Sequence, residues 1–215
     1  MNRCDKLIAL YDRLLDAYGP QHWWPAESAF EVIAGAVLTQ NTSWKNVERA
    51  ITRLQATGNL DLDRIAALAQ DELAELIRSS GFFNVKAKRL KNLCGWLKSQ
   101  GGLDALTKWD TGRLRQSLLS INGVGPETAD DILLYAFDRP VFVIDSYTRR
   151  LLKKLGMAGG QEDYETLRQM FEACLPPDHG LYNEYHALIV RHAKEKCTHD
   201  NQCRHCAVEA PIRIL

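Results

Sequence analysis

The chain has 215 residues, 46% of them hydrophobic, and 27 basic against 27 acidic side chains, so its formal net charge is zero. That length and apolar content suit a globular protein of one domain or two small lobes and exclude a disordered chain. No apolar run is long enough to span a membrane, and Met1-Asn2-Arg3-Cys4-Asp5-Lys6 lacks the basic-then-apolar pattern of a signal peptide; a cytoplasmic protein is expected, in which structural disulfides are uncommon.

From the N-terminus the chain reads as helix after helix. Leu7, Tyr11, Leu14, Leu15 and Tyr18 recur at helical spacing until Gly19-Pro20 stops them. The stretch 30–38 is apolar almost all round, which predicts a buried central helix. Val47, Ala50, Ile51 and Leu54 mark the next helix, ending near Gly58; Leu73, Leu76 and Ile77 precede a stop at Gly81. Ala87, Leu90, Leu93 and Leu97 carry a basic-faced helix. Leu114, Leu118 and Ile121 predict one helix, and Ile132, Leu133 and Ala136 another. The stretch 141–144 is the one strand-like run, and it also suits an extended entry to a helix through Leu155. Tyr164, Leu167, Phe171 and Cys174 mark a helix ended by Pro176-Pro177, and a last one spans about 181–194. The fold class is therefore all-α.

Between the two hairpin helices lies Ile121-Asn122-Gly123-Val124-Gly125-Pro126-Glu127-Thr128-Ala129. Glycines permit a tight turn and close approach to a ligand, and proline suits the first turn of a helix. The amides at Gly123, Val124 and Gly125 then form an anion site suited to phosphate. Twenty residues after Gly125, Asp145 ends the apolar run; alone, an acid placed there is usually a helix N-cap. Zero net charge argues against a nucleic-acid binder, but the charges are unevenly placed. No acid falls between Glu75 and Asp104, where Arg78, Lys86, Lys88, Arg89, Lys91 and Lys98 lie. Arg149, Arg150, Lys153 and Lys154 follow Asp145. Two basic clusters beside the hairpin and the carboxylate fit a DNA-facing side.

The hairpin and Val143-Ile144-Asp145-Ser146-Tyr147, with Trp23-Trp24-Pro25 and Leu38-Thr39-Gln40-Asn41-Thr42, resemble the endonuclease III-like helix-hairpin-helix DNA glycosylases, and within them the 3-methyladenine branch. The resemblance covers roughly residues 25–206. It implies two helical lobes with a cleft between them: residues 26–136 as the central lobe, and 1–25 with 137–215 as the second. It makes Asp145 the catalytic carboxylate, which stabilises the oxocarbenium-like transition state of base release. Gln40 would fill the gap left by the flipped base, and Lys86 and Lys88 would contact DNA. The segment from Ser80 to Ala87 resembles a mainly structural family segment.

The departures sharpen the expectation. Bifunctional relatives carry a Schiff-base lysine two residues after the second hairpin glycine, where this chain has Glu127. A monofunctional enzyme is implied. Adenine-mismatch relatives carry an acid five residues before the wedge glutamine, where this chain has Gly35. Without a general acid, the suited substrate is a cationic alkylpurine such as 3-methyladenine, which leaves as a neutral base. Trp23, Trp24 and Trp44 offer electron-rich faces for such a cation, and with Glu127 they form the expected base pocket. Other readings are a thymine or uracil mismatch glycosylase and a non-catalytic helix-hairpin-helix DNA-binding protein. Cys197, Cys203 and Cys206 resemble part of the family's four-cysteine [4Fe–4S] site, but the fourth position is Ile212; a cluster completed by His199 or His205 and a decayed site are both open. Cys4, Cys94 and Cys174 read as isolated packing cysteines. The expected partner is damaged double-stranded DNA, met by a monomer on the bacterial nucleoid, with no membrane.

Overall fold

A ten-residue helix, α2 (Ala29–Leu38), runs through the middle of the chain's central unit, buried from Phe30 to Leu38. Its N-cap Ser28 accepts a hydrogen bond from the Glu31 amide. The structure is a computed structural model that describes residues 2–197. Every regular element among the described residues is helical. The chain forms two units: one runs from Ala26 to Phe137, and the other joins the chain up to Pro25 with the chain from Asp138.

In the central unit α2 packs against α9 (Pro126–Ala136), α3 (Trp44–Ala56) and α6 (Phe83–Ser99). The short helices α4 (Leu62–Ala67) and α5 (Gln70–Leu76) cover α6, and a 3-10 turn at Arg78–Ser80 leads into it. After α7 (Leu103–Leu106) comes α8 (Thr111–Leu119), which pairs with α9 as the hairpin. Arg115 of α8 donates to both carboxylate oxygens of the fully buried Asp130 of α9, at 2.7 and 3.0 Å. Removing one partner of such an ion pair costs about 3–5 kcal/mol because the other charge is left buried.

The second unit contains α1 (Arg3–Tyr18), α10 (Ser146–Lys154), α11 (Tyr164–Glu172) and α12 (His179–Lys196). The 141–144 run is an extended, buried segment and not a strand. Side chains satisfy two of its amides: Phe142 donates to Glu172 Oε1 at 2.9 Å and Ile144 to the Tyr164 hydroxyl at 3.4 Å. Phe142 stacks on Phe171 with ring centres 3.9 Å apart, and Tyr182 and Tyr185 of α12 meet it edge-on. One aromatic cluster thus holds the approach to Asp145 against α12.

The cysteine reading is corrected here. Cys4 and Cys174 are joined as a disulfide, so only Cys94 of the three is an isolated buried thiol. The bond ties the first turn of α1 to the chain just after α11, across 170 positions. Sequence spacing carries no signal of a pairing at that distance.

Candidate functional site

Within the hairpin, the glycines have different work. Gly123 has φ of 101°, and a Cβ there would stand 2.2 Å from Arg89 Cγ, so both conformation and space require glycine. Gly125 is extended, with φ of −91°, and is the N-cap of α9. The expectation of a special turn conformation at both glycines holds only at Gly123. The Val124 amide is also corrected, since it donates to the Ile121 carbonyl at 3.0 Å and is not presented to a ligand. At Gly125 no side chain caps the helix, and a Cβ would meet nothing within 4 Å. Pro126 follows at the first helical position, as expected, with Glu127 exposed in the same turn. The open cap position leaves room for an anion at the positive end of α9.

Gln40 lies on this hairpin. Its Nε2 donates to the Gly123 carbonyl at 3.2 Å and to Thr128 Oγ1 at 2.9 Å. Its Oε1 accepts from Arg89 at 2.6 Å. Asn92 of α6 adds a hydrogen bond to the Asn122 carbonyl. To enter a duplex, Gln40 must exchange these contacts for DNA. The loop that carries it therefore shares its hydrogen bonds with the turn expected to hold phosphate.

Lys86 is the clearest correction among the site residues. It is 1% exposed, and its ammonium donates to the Leu38 carbonyl at 2.8 Å and the Ser80 carbonyl at 2.6 Å. It caps the end of α2 and cannot reach DNA from there. Burial, followed by the charge of Arg89, lowers its pKa to about 8. Its neighbours are similarly engaged. Lys91 donates to the Ala66 and Leu68 carbonyls at the end of α4, Arg78 pairs with Glu75, and Lys98 pairs with Asp63. Lys88 stays exposed. Most of the first basic cluster therefore serves the fold. Sequence periodicity points Lys86 inward, at the position before Ala87, but charge count alone obscured it.

Phe82, passed over in the sequence as part of a structural segment, is 69% exposed and left-handed, with φ of 46°; Val85 is 49% exposed. Two apolar side chains thus stand at the solvent-facing start of α6, ahead of Lys88 on the same helix. An exposed phenylalanine in a backbone conformation rare for it is the signal that was available only from the fold.

Asp145 begins α10 as its N-cap, with Oδ1 accepting from the Thr148 amide at 2.7 Å. Its Oδ2 lies 3.7 Å from His186 Nε2 of α12, and the side chains are only 14% and 6% exposed. Burial pushes the carboxyl pKa up, but His186 and the Thr148 amide more than offset this and hold it below the ordinary aspartate value. The site therefore offers an ionised, oriented, sheltered carboxylate. His186 was not found from the sequence, because 41 positions separate it from Asp145 and no spacing rule joins them. Beside α10, Arg149 donates to the Glu162 carbonyl and Arg150 to the Cys197 carbonyl, so this cluster too is partly engaged.

Trp23 and Trp24 pack edge to face, with centres 5.8 Å apart, in the unit that holds Asp145. Lys194 lies 5.8 Å from the Trp23 ring centre and 5.4 Å from that of Tyr147. Both tryptophans are half-buried, and Trp23 already has a cation at its face. Trp44 opens α3 in the central unit, and Glu127 lies in the first turn of α9 in the same unit. Cys197 is buried, while Cys203, Cys206, His199, His205 and Ile212 lie outside the described residues. Among the described residues no group of His, Cys, Asp and Glu could hold a metal. Most of the expected cluster ligands thus lie outside the described residues, and no step of the chemistry is assigned to a cluster.

Comparison with known proteins agrees with this architecture. The signature of the HhH-GPD superfamily base excision DNA repair proteins matches residues 34–177. The chain is 48% identical over 211 residues to a putative DNA repair glycosylase of Methanocaldococcus jannaschii, covering 97% of this chain and 96% of the relative. It is 30% identical over 171 residues to endonuclease III of Sulfolobus acidocaldarius, covering 79% and 74%. The structure resembles H. pylori 3-methyladenine DNA glycosylase bound to 1,N6-ethenoadenine, with 35% identity, a TM-score of 0.78, and 91% and 99% of the two chains covered.

Proposed function

We propose that this chain, which belongs to the HhH-GPD superfamily of base excision DNA repair proteins, is a monofunctional glycosylase that removes alkylated purines such as 3-methyladenine from duplex DNA. The observation that carries this reading is the pair of helix starts: an ionised Asp145 at α10, and an acid, Glu127, in place of an amine at α9. The target base rotates out of the duplex. Gln40 leaves the hairpin to fill the gap, and the exposed Phe82 is suited to enter a neighbouring base step. The α9 start and Lys88 hold phosphates, which position the duplex without reading its sequence.

As the bond between base and sugar breaks, positive charge grows on the sugar, and the Asp145 carboxylate stabilises it. A cationic alkylpurine takes the bonding electrons and leaves neutral, so it needs no proton from the protein. Water adds to the sugar and loses a proton, giving an abasic site. Glu127 cannot form the Schiff base that leads to strand cleavage. Trp24 and Trp44 each offer a ring face suited to stack on an extruded cationic base, whereas Trp23 is already faced by Lys194. The 3-methyladenine glycosylase from H. pylori, at 35% identity, supports the alkylpurine substrate. The protein would work on chromosomal DNA in the cytoplasm, as a monomer.

The test compares release of 3-methyladenine from methylated DNA with release of thymine or uracil from G mismatches. The alkylpurine should go faster, without a borohydride-trapped adduct. Trp24→Ala and Trp44→Ala should each slow it about tenfold or more, in line with roughly 1–3 kcal/mol of stacking per base. Faster mismatch turnover, insensitive to both variants, would give the protein to the mismatch class; binding without release of any base would make it a DNA-binding module.

A further inference from the structure

Resting on the reading of Asp145 as the catalytic carboxylate, we propose that His186 is a positioning residue that orients this carboxylate toward the sugar. A helix cap needs only one oxygen, and the Thr148 amide takes Oδ1. The carboxylate could still swing about that contact. The buried imidazole, 3.7 Å from Oδ2, limits the swing from the other side. Both partners are set by the same aromatic cluster. Phe142 stands three residues before Asp145 and stacks on Phe171; Tyr182 and Tyr185 of α12 pack against Phe142, and His186 comes next. The Tyr185 hydroxyl also donates to the Leu7 carbonyl at 2.8 Å, which fixes the register of α12. Rings locked in this way leave the pair little freedom to drift. A polar side chain brought to a buried carboxylate by such packing acts on its orientation, and preorientation of a charge is what electrostatic catalysis requires.

The test uses the full chain and two duplexes that need no particular base. One carries a cationic azasugar that imitates the charged sugar; the other carries neutral tetrahydrofuran at the same place. The wild type should bind the azasugar duplex at least about tenfold more tightly, as transition-state mimics bind. Asp145→Asn should abolish the preference, and His186→Ala should remove most of it, with tetrahydrofuran affinity and melting temperature little changed. His186→Gln, which keeps a polar side chain beside the carboxylate, should restore it. Adding His186→Ala to Asp145→Asn should cost nothing further, since the two act as a unit. Full preference in His186→Ala, additive losses, no rescue by glutamine, or equal loss on both duplexes with a lower melting temperature would each overturn the assignment and leave the role of Asp145 standing. A preference that survives Asp145→Asn would overturn both readings.

Discussion

The starts of α9 and α10 answer the same physical demand in opposite ways. Every helix begins with N–H groups that lack intrahelical partners and carries partial positive charge there. At α10 the chain supplies its own anion, with Asp145 bonded to the Thr148 amide. At α9 the cap is Gly125, without a side chain and with open space around it. One N-cap residue thus decides whether a helix start is filled by the chain's own carboxylate or leaves room for an external anion. The surroundings follow the same division: His186 encloses Asp145, whereas Gly125 faces outward.

The largest effect should come from Asp145. Asparagine is an equally good cap, so Asp145→Asn should keep α10 and DNA affinity while single-turnover base release falls by about 10²–10³-fold, the usual cost of losing one preorganised electrostatic contact. Near-normal release would reduce Asp145 to a cap. The next effect should come from Gly123→Ala, where a left-handed φ and the collision with Arg89 coincide. Denaturant unfolding should show a loss on the order of 1–3 kcal/mol, and Gln40 should lose its seat on the turn. An unchanged midpoint would mean that Arg89 yields freely.

Gly125→Asp gives α9 the cap that α10 already has. Stability should hold or rise, since the site is extended and aspartate caps well. Affinity for undamaged duplexes of any sequence should fall roughly tenfold, about 1.4 kcal/mol, as an acid occupies the phosphate position. Unchanged affinity would remove this helix start from the interface. The smallest effect belongs to Lys88→Ala, which should weaken binding to all sequences alike and reduce the salt slope by about 1. A salt slope equal to that of the wild type would show that Lys88 faces away from DNA.

Acid should also separate the two starts. The folded Asp145 carboxyl titrates below its ordinary value, so its contribution to stability is present above the unfolded pKa and is lost as pH falls through the lower folded one. In acid unfolding, Asp145→Asn should lose less stability than the wild type across that range, while Gly125, which does not titrate, adds no such dependence at α9.

The amino-acid sequence by itself determined the helical class, the hairpin with Pro126 at its helix start, the buried central helix and the place of Asp145 before α10. Each rests on short-range physics: apolar residues recurring every three or four positions, a glycine that can turn, an acid that can cap. Tertiary structure alone decided what those residues meet. It turned Lys86 inward onto the end of α2, laid Gln40 on the hairpin, joined Cys4 to Cys174 and left Phe82 exposed. It also brought His186 to Asp145. These contacts join residues 41 to 170 positions apart, and a side chain's charge or polarity does not say which distant partner packing will bring to it. Burial converts a lysine from a phosphate ligand into a helix cap, because an ammonium removed from water must take the nearest carbonyls.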